Sequence, residues 1–284
     1  MTGAFVETMK MIKIEHSIFA LPFGLLSAFL AAGGFPEPRV LVLVVAAMVA
    51  ARSAAMAFNR YVDAEIDARN PRTAIRSIPA GRLTRTYALG FIIVSSLLFM
   101  LCAWLLNPLA FYLSPLMLVV LLGYSLTKRF TSYCHFVLGL ALGLSPLGAW
   151  VAVTGAFHWI PVQIGLAVMC WVAGFDIIYA CQDIDFDRKE GLSSVPARLG
   201  VALSLNLSRL LHVVMVLLIS FIGIQTELGW LYWTGVGLVV LCLIYEHSLV
   251  WDGDLSKVNI AFFTMNGVVS LIFGVTTIGS VLLS

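Results

Sequence analysis

Residues 86–127 decide the fold: they read TYALGFIIVSSLLFMLCAWLLNPLAFYLSPLMLVVLLGYSLT, without one Asp, Glu, Lys or Arg. Residues 130–175 form a second stretch that lacks these residue types. Each stretch is long enough for two membrane-spanning helices of about 20 residues. Over the 284 residues of the chain, 61% are hydrophobic and 11% are charged, whereas a soluble domain has roughly 45–50% apolar and about 25% charged residues. The sequence therefore predicts an all-α polytopic membrane protein.

This composition also excludes several classes of protein. A soluble enzyme, a nucleic-acid-binding protein and a secreted disulfide scaffold do not carry such long uncharged runs. An outer-membrane barrel is excluded because its strands alternate apolar and polar residues, whereas these runs are continuously apolar. The five cysteines stand singly, without the spacing of a zinc site, so we predict neither a disulfide nor a zinc site.

We predict nine transmembrane helices around a cavity. The first apolar run resembles a signal peptide, but its apolar core exceeds the roughly 7–15 residues of such a segment, so we interpret it as an uncleaved first helix. The predicted helices are residues 17–34, 40–58, 87–106, 109–126, 134–154, 160–181, 202–224, 230–250 and 258–283.

The basic residues predict the orientation of these helices. Of the 17 Lys and Arg residues, Arg52 and Arg209 fall inside predicted helices, and 14 of the other 15 lie on one side of the membrane, with Arg39 alone on the other. Because loops rich in Lys and Arg stay in the cytoplasm, we predict a cytoplasmic N-terminus and an outside C-terminus in a bacterial-type inner membrane.

Two acidic clusters follow the second and sixth predicted helices. Asn59, Asp63 and Asp67 are four residues apart, as are Asp183 and Asp187, so each set shares one face of a helix that continues out of the membrane. Like charges one turn apart repel each other, and oxygen ligands suit Mg²⁺ bound together with substrate phosphates. Either cluster alone is equally well explained as a solvated helix end. Two clusters on one side favour a catalytic site where these five residues hold Mg²⁺ and a diphosphate.

Basic residues that neutralise phosphate oxygens lie near both clusters. Arg72 and Arg76 follow the first cluster, and Lys128 ends the fourth predicted helix beside Tyr124. We predict that these cations bind the diphosphate and stabilise its departure. For the remaining nearby cations we prefer a role in anchoring the protein at the membrane surface: Arg69, Arg82, Arg85 and Arg129.

Arg52 and Asp176 are charged residues within predicted helices. Each lies seven residues before an acidic cluster, Arg52 before Asn59 and Asp176 before Asp183, so each is two turns deeper on the same helix face. Charged groups inside the membrane are costly and are usually functional or paired. Two interpretations stay open. Arg52 and Asp176 pair with each other, or they bind a polar acceptor substrate, with Arg52 at its carboxylate and Asp176 at its hydroxyl.

A weak internal similarity links the two acidic clusters. SIPAGRL at residues 77–83 follows the first cluster, and SVPARL at residues 194–199 follows the second. We therefore predict one domain over residues 1–284, with a candidate repeat of about 40–85 and 160–200. Such repeats also occur in secondary transporters and lipid carriers, which form the alternative of a different class. Transporter sites lie near the middle of the bilayer, whereas these clusters lie at helix ends.

Together, these motifs resemble the UbiA superfamily of intramembrane prenyltransferases. The resemblance covers most of the chain and rests on the nine helices, the segment from Asn59 to Gly81, the Tyr124-Ser-x-x-Lys128-Arg129 element and Asp176-x-x-Tyr179-Ala180-x-x-Asp183-x-x-x-Asp187. It implies a helical bundle with a cavity open to the bilayer, and Mg²⁺ with a polyprenyl diphosphate at its cytoplasmic end. Tyr124 and Tyr179 are then expected at the substrate. No nucleic-acid or protein partner is implied.

The resemblance also implies the reaction, the prenylation of an aromatic acid in respiratory quinone biosynthesis. Arg60 stands where many members carry Asp, and SIP at residues 77–79 replaces the common Arg-Pro-Leu-Pro. The opening segment, residues 12–23, lacks the Arg-x-Asp-x-Pro-x-Gly of many 4-hydroxybenzoate enzymes and is more similar to a branch linked to menaquinone made through futalosine. We therefore expect a 4-hydroxybenzoate-like acceptor, with a dihydroxynaphthoate as the alternative.

Overall fold

The computed structural model describes residues 2–13 and 17–284, and within these ranges every regular element is a helix. Three residues of the distinctive opening segment, at positions 14–16, lie outside the described part of the chain. The α-helices are α1 (Thr2–Ile12), α2 (Ser17–Ala32), α3 (Pro38–Val62), α4 (Ala64–Arg69), α5 (Arg85–Leu106), α6 (Pro108–Thr127), α7 (Cys134–Thr154), α8 (Trp159–Ala180), α9 (Ile184–Lys189), α10 (Val195–Gln225), α11 (Trp230–Ser248) and α12 (Asn266–Leu283).

The membrane-spanning character of the fold is confirmed. Within the described ranges, eight helical segments are long and apolar enough to cross a membrane. The first predicted crossing corresponds to α2, an apolar helix of 16 residues, which is shorter than the roughly 20 residues that span a bilayer. The last crossing begins with a π-helical turn at Ile260–Met265 and continues into α12. The predicted count of nine therefore agrees approximately, with α2 as the short member.

Local sequence signals set the ends of the helices. Thr84 precedes α5, and its side chain accepts a hydrogen bond from the Tyr87 backbone N–H. Asn107 does the same for α6 with Ala110, and Pro108 occupies the first turn, where no backbone N–H is needed. Gly155 ends α7 with a φ of 67°, in the left-handed region that glycine adopts without strain. Short turns between antiparallel helices follow from these signals.

Helix α8 lies at the centre of the bundle and packs against α2, α7 and α10. Its Trp171 and Ile177 have no solvent exposure. The contact with α7 is close because Gly139 and Gly143 face the α8 backbone, where an added Cβ would collide with the carbonyl oxygens of Met169 and Gly165. Small residues of this kind let membrane helices approach each other closely. The approach fixes α8, which carries Asp176 and leads into Asp183.

The acidic clusters do not lie on continuous helices, and this corrects the prediction. Helix α3 ends at Val62 and α4 begins at Ala64, with Asp63 between them at φ −90° and ψ 1°. A 3₁₀ turn ending at Asp183 likewise separates α8 from α9, and Asp183 adopts φ −103° and ψ 8°. Both residues lie in the sparsely populated region between helix and strand. The regular helix is therefore interrupted at the first aspartate of each cluster, which four-residue spacing does not reveal.

Helix α1, which the sequence analysis did not predict, packs against the loop at residues 70–84. Its Glu7 carboxylate accepts hydrogen bonds from Arg82 at 2.7 Å and Ser77 at 2.8 Å. The hydrogen bonds from Arg82, Lys10 and Ser77 lower the pKa of Glu7 to about 2. These contacts hold the loop that carries Arg72 and Arg76. The arginines predicted to bind phosphate are thus positioned by an N-terminal helix as well as by their own loop.

Candidate active site

A cavity of about 1,040 Å³ runs through the bundle. At one end, which we call the charged end, it is lined by Asp63, Asp183 and Asp187. Toward the opposite ends of the helices its walls are apolar and include Leu113 and Ala152. Such a cavity suits a ligand with an anionic head and a long hydrocarbon tail.

The cavity is also open to the side. Leu116 and Leu140 line it and are 63% and 42% exposed, and Phe157 lines it with 65% of its surface exposed. These residues belong to α6, α7 and the connection that follows α7. Because they lie within the membrane-spanning part of the chain or next to it, the opening faces lipid.

Asp63 is 2% exposed and lies at the centre of a dense group of polar contacts. Arg129 donates to its Oδ1 at 3.0 Å, and Lys128 Nζ lies 3.7 Å from its Oδ2. Asn59 donates to the same Oδ2 at 3.3 Å, and its own amide oxygen accepts a hydrogen bond from the buried Arg60. Arg129 was predicted to be a membrane anchor; it binds a site carboxylate instead. The reason is that α6 ends beside the turn at Asp63, a proximity that charge counting does not show.

At the charged end of the cavity, Asp183 is bound by Arg72. Arg72 donates from Nε and Nη2 to the two carboxylate oxygens, at 3.1 and 2.6 Å, and from Nη1 to the Tyr179 hydroxyl at 3.0 Å. Burial by itself lowers the pKa of Arg72, but the hydrogen bonds with Asp183 outweigh this effect, so the pKa of the guanidinium is raised above its ordinary value. The bidentate pair links the loop after the first cluster to the second cluster.

The second aspartate of each cluster has a different partner. Arg76, which lines the cavity, donates to both oxygens of Asp67 at 2.7 Å. Asp187 accepts a hydrogen bond from the Ser194 hydroxyl at 2.8 Å. Ser194 also caps α10 by accepting from the Ala197 backbone N–H at 3.2 Å. Asp187 is thereby tied to the start of α10.

The donor atoms at the charged end fit a metal ion that arrives with a diphosphate. Across the described ranges, no three His, Cys, Asp or Glu side chains lie close enough together to hold a metal ion by themselves. The cavity-lining donors are nevertheless carboxylate and amide oxygens, which a hard cation prefers. Mg²⁺ commonly binds through one or two carboxylates, several waters and substrate phosphates. The residues therefore fit Mg²⁺ in complex with a substrate and do not form a closed cage for the ion alone.

Two turns deeper, the cavity is lined by Arg52 and Asp176. The Asp176 carboxylate is bound by His135 of α7, with 2.6 Å between Nδ1 and Oδ2. The predicted pairing of Asp176 with Arg52 stays a prediction. His135 is not apparent from the sequence because no histidine has ligand spacing with another, and its partner is 41 residues away on α8.

Eleven of the twelve site residues predicted from the sequence line this one cavity, and the twelfth, Asp67, is bound by a residue that does. Their individual roles stay predictions. Glu65 and Asp185, the other two carboxylates of the acidic segments, are exposed. The cavity-lining residues are Arg52, Asn59, Asp63, Arg72, Arg76, Tyr124, Lys128, Asp176, Tyr179, Asp183 and Asp187.

Comparison with known proteins gives a consistent family match. Residues 20–268 match the UbiA prenyltransferase family. A 4-hydroxybenzoate octaprenyltransferase of Tolumonas auensis is 32% identical over 86% of this chain and 85% of its own length. One from Aliivibrio fischeri is 29% identical over 95% of this chain and 94% of its own length.

Solved structures show the same fold. A UbiA homolog from Aeropyrum pernix K1, in its apo form, is 36% identical and superimposes with a TM-score of 0.86 over 94% of this chain and 98% of that protein. A UbiA homolog from Archaeoglobus fulgidus, solved with GPP and Mg²⁺, is 18% identical with a TM-score of 0.74, covering 98% of this chain and all of that one. At that identity the second likeness supports the fold alone.

Proposed function

The chain belongs to the UbiA prenyltransferase family, and from this premise we propose that it transfers a polyprenyl group from a polyprenyl diphosphate to 4-hydroxybenzoate. One observation carries the proposal: a single cavity joins a cluster of carboxylates and basic residues to an apolar channel with a lateral opening. A polyprenyl diphosphate has the matching distribution of charge and hydrocarbon. The relatives named above act on 4-hydroxybenzoate according to their names, and they match most of the chain.

The chain's own cations bind the diphosphate in this proposal. Arg72, Arg76 and Lys128 line the charged end, and each is paired there with an aspartate. When a diphosphate enters, these cations turn from the carboxylates to the phosphate oxygens, since both are bound by the same charge-assisted hydrogen bonds. The released carboxylates then become available to a metal ion. Tyr124 and Tyr179 line the cavity next to this head group.

We further propose that the metal ion is Mg²⁺, which Asn59, Asp63, Asp67, Asp183 and Asp187 would hold. The chemistry supplied by bound Mg²⁺ is neutralisation of the leaving diphosphate. The residues of the charged end fix the diphosphate head group, so that the allylic carbon lies where the apolar channel begins. That channel excludes water, which would otherwise capture an allylic cation before the aromatic ring does.

The acceptor enters below the diphosphate. Arg52 lines the cavity two turns deeper than Asn59, and its planar guanidinium matches a carboxylate. Bound in this way, the benzoate places the ring carbon beside its hydroxyl group near the allylic carbon. Family membership disfavours the alternative of a secondary transporter.

The function is tested by incubating membranes containing the protein with Mg²⁺, 4-hydroxybenzoate and a panel of polyprenyl diphosphates. We expect a product whose mass equals that of the acid plus the prenyl group less one hydrogen, with release of one diphosphate. The same membranes receive a dihydroxynaphthoate in parallel. Product from the naphthoate alone would contradict the proposed acceptor, and the absence of diphosphate release with both acids would contradict prenyl transfer.

Arg52→Lys is expected to raise the KM for 4-hydroxybenzoate by about 10- to 100-fold, because losing a bidentate charge-assisted contact costs about 1.5–3 kcal/mol and every 1.4 kcal/mol is tenfold in affinity. The KM for the prenyl diphosphate should change little. Steady-state kinetics with each substrate varied in turn would measure both constants. Arg209→Lys is a matched control, since Arg209 is an intramembrane arginine bound to Asn206, away from the cavity. An unchanged acceptor KM in Arg52→Lys would assign the carboxylate to another cation.

For orientation, we propose a cytoplasmic N-terminus and charged end, supported by the distribution of Lys and Arg described above. A reporter that is active only outside the inner membrane, fused after Ser284, should therefore be active. A second fusion within the loop at residues 70–84 should be inactive. Activity with the opposite pattern would invert the topology.

A further inference from the structure

His135 and Asp176 form a hydrogen-bonded pair in the wall of the cavity. His135 is 3% exposed, and both residues line the cavity below the charged end. The distance between Nδ1 and Oδ2 is 2.6 Å. The pair joins α7 to α8 at the level where the acceptor ring is expected to bind.

The other hydrogen bond of His135 involves the second ring nitrogen, Nε2. The backbone N–H of Val195 donates to His135 Nε2 at 3.3 Å. Nδ1, on the other side of the ring, donates to the Asp176 carboxylate. Within the described part of the chain, the hydrogen bond from His135 goes to Oδ2 and none is made to Oδ1 of Asp176. The Asp176 side chain is thus held by one oxygen while the other is available to a ligand.

Asp176 differs from the carboxylates at the charged end. Asp63, Asp67 and Asp183 are each bound by Arg or Lys, so charge-assisted hydrogen bonds already occupy their oxygens. Asp176 is bound through one oxygen by His135 and lies seven residues before Asp183, about 10 Å along the helix. The allylic carbon of a prenyl diphosphate is one bond from the diphosphate oxygen, so an acceptor ring that reaches it must lie just below the head group, toward Asp176.

Aromatic prenylation needs a base at this level. The ring carbon forms a bond to the allylic carbon, and the bond between that carbon and the diphosphate oxygen breaks. The alkylated ring carbon must then lose its hydrogen as a proton, and the electron pair of the C–H bond returns to the ring. We propose that Asp176 accepts this proton and that His135 is the positioning residue that holds Asp176 for the step. The inference rests on the proposed function.

His135 also connects this pair to the second acidic cluster. Its partner Val195 follows Ser194, whose hydroxyl binds Asp187. One histidine therefore aligns the base on α8 with the segment that holds Asp187. Loss of the imidazole should affect proton removal directly, whereas binding of the diphosphate depends mainly on arginines and lysine elsewhere.

The test uses 4-hydroxybenzoate deuterated at both ring positions beside the hydroxyl, with the full-length protein in membranes. In the wild-type enzyme we expect product and a small isotope effect, since proton loss is fast. In Asp176→Asn, which preserves the shape of the side chain, turnover should fall about 100-fold, within the range for removal of a general base. Proton loss should then limit the rate, so a clear primary deuterium isotope effect should appear, while the KM for the prenyl diphosphate stays near its wild-type value.

Two histidine variants test the positioning role. His135→Leu removes the donor and should reproduce the slow turnover and the isotope effect. His135→Asn keeps an N–H donor near the position of Nδ1 and should recover much of the activity. Asp185→Asn, at an exposed carboxylate in the same acidic segment, is the matched control and should behave as wild type.

The outcomes separate this inference from the proposed function. Absence of prenylated 4-hydroxybenzoate in the wild-type arm overturns the function and the inference together. Product in that arm, with Asp176→Asn at wild-type turnover or slowed without an isotope effect, overturns the inference alone. Because Asp176→Asn is isosteric, this result does not depend on whether His135→Leu folds.

Discussion

Asp63→Asn and Asp183→Asn, made separately, are expected to lower turnover by at least about 10²–10³-fold, the cost of removing one group that stabilises developing charge. Each change removes an anionic oxygen donor from the charged end while preserving the size of the side chain. The metal ion and the diphosphate should both bind more weakly, because each helps to hold the other. Diphosphate release measured against Mg²⁺ concentration would show a lower maximum and a higher requirement for Mg²⁺.

Two variants serve as controls for these changes. Glu65→Gln alters a carboxylate that is 81% exposed and paired with Arg85, and Asp185→Asn alters an exposed one in the second segment. Both should keep wild-type activity, and all four proteins should reach the membrane in equal amounts. Full activity of Asp63→Asn or Asp183→Asn without added Mg²⁺ would refute the metal proposal.

Arg72→Leu is expected to have an effect of similar size, a loss of about 10²–10³-fold in kcat/KM for the prenyl diphosphate. The variant removes a cation from the head group and leaves Asp183 without its bidentate partner, so the phosphate site gains net negative charge. Arg72→Lys keeps the positive charge but lacks the planar guanidinium that makes bidentate hydrogen bonds. Its activity should lie between those of the wild type and Arg72→Leu. The measurement is initial-rate kinetics with the prenyl diphosphate varied at saturating acceptor.

Arg69→Leu is the matched control, three residues away on α4. Arg69 binds Glu190 at 3.0 Å with 59% of its side chain exposed, and an exposed pair of this kind contributes little. Its loss should leave the kinetics unchanged. If Arg69→Leu and Arg72→Leu were equally impaired, a general effect of positive charge on membrane insertion would explain both, and the assignment of Arg72 to the diphosphate would be wrong.

Periodicity predicted the parts of this site that lie along single helices. The spacing of Asn59 and Asp63, and of Asp176 and Asp183, placed each pair on one helix face, and both pairs line the cavity. Spacing says little about where a helix stops. It predicted continuous helices through both clusters, whereas the helices are interrupted at Asp63 and Asp183.

Contacts between helices could not be predicted from the sequence alone. In the sequence, Arg129 follows an apolar run, as a membrane-anchoring arginine does. In the structure, however, its guanidinium binds the Asp63 carboxylate. His135 begins a helix in a run without charged residues, and only the packing of α7 on α8 places it against Asp176. Helix α1 was missed because it is too short and too polar to look like a membrane span. Its role becomes apparent from the contacts that Glu7 makes with the loop at residues 70–84.

The lateral opening at Leu116, Leu140 and Phe157 has a consequence for the choice of isoprenoid. A prenyl tail that extends through the opening into the bilayer does not meet a closed end of the cavity. Isoprene units beyond the opening therefore contribute little to discrimination between polyprenyl diphosphates of different length. The length of the attached chain would then reflect which polyprenyl diphosphates the cell synthesises. The prenylated acid, insoluble in water, would diffuse sideways into the bilayer without crossing the charged end, where the water-soluble diphosphate leaves.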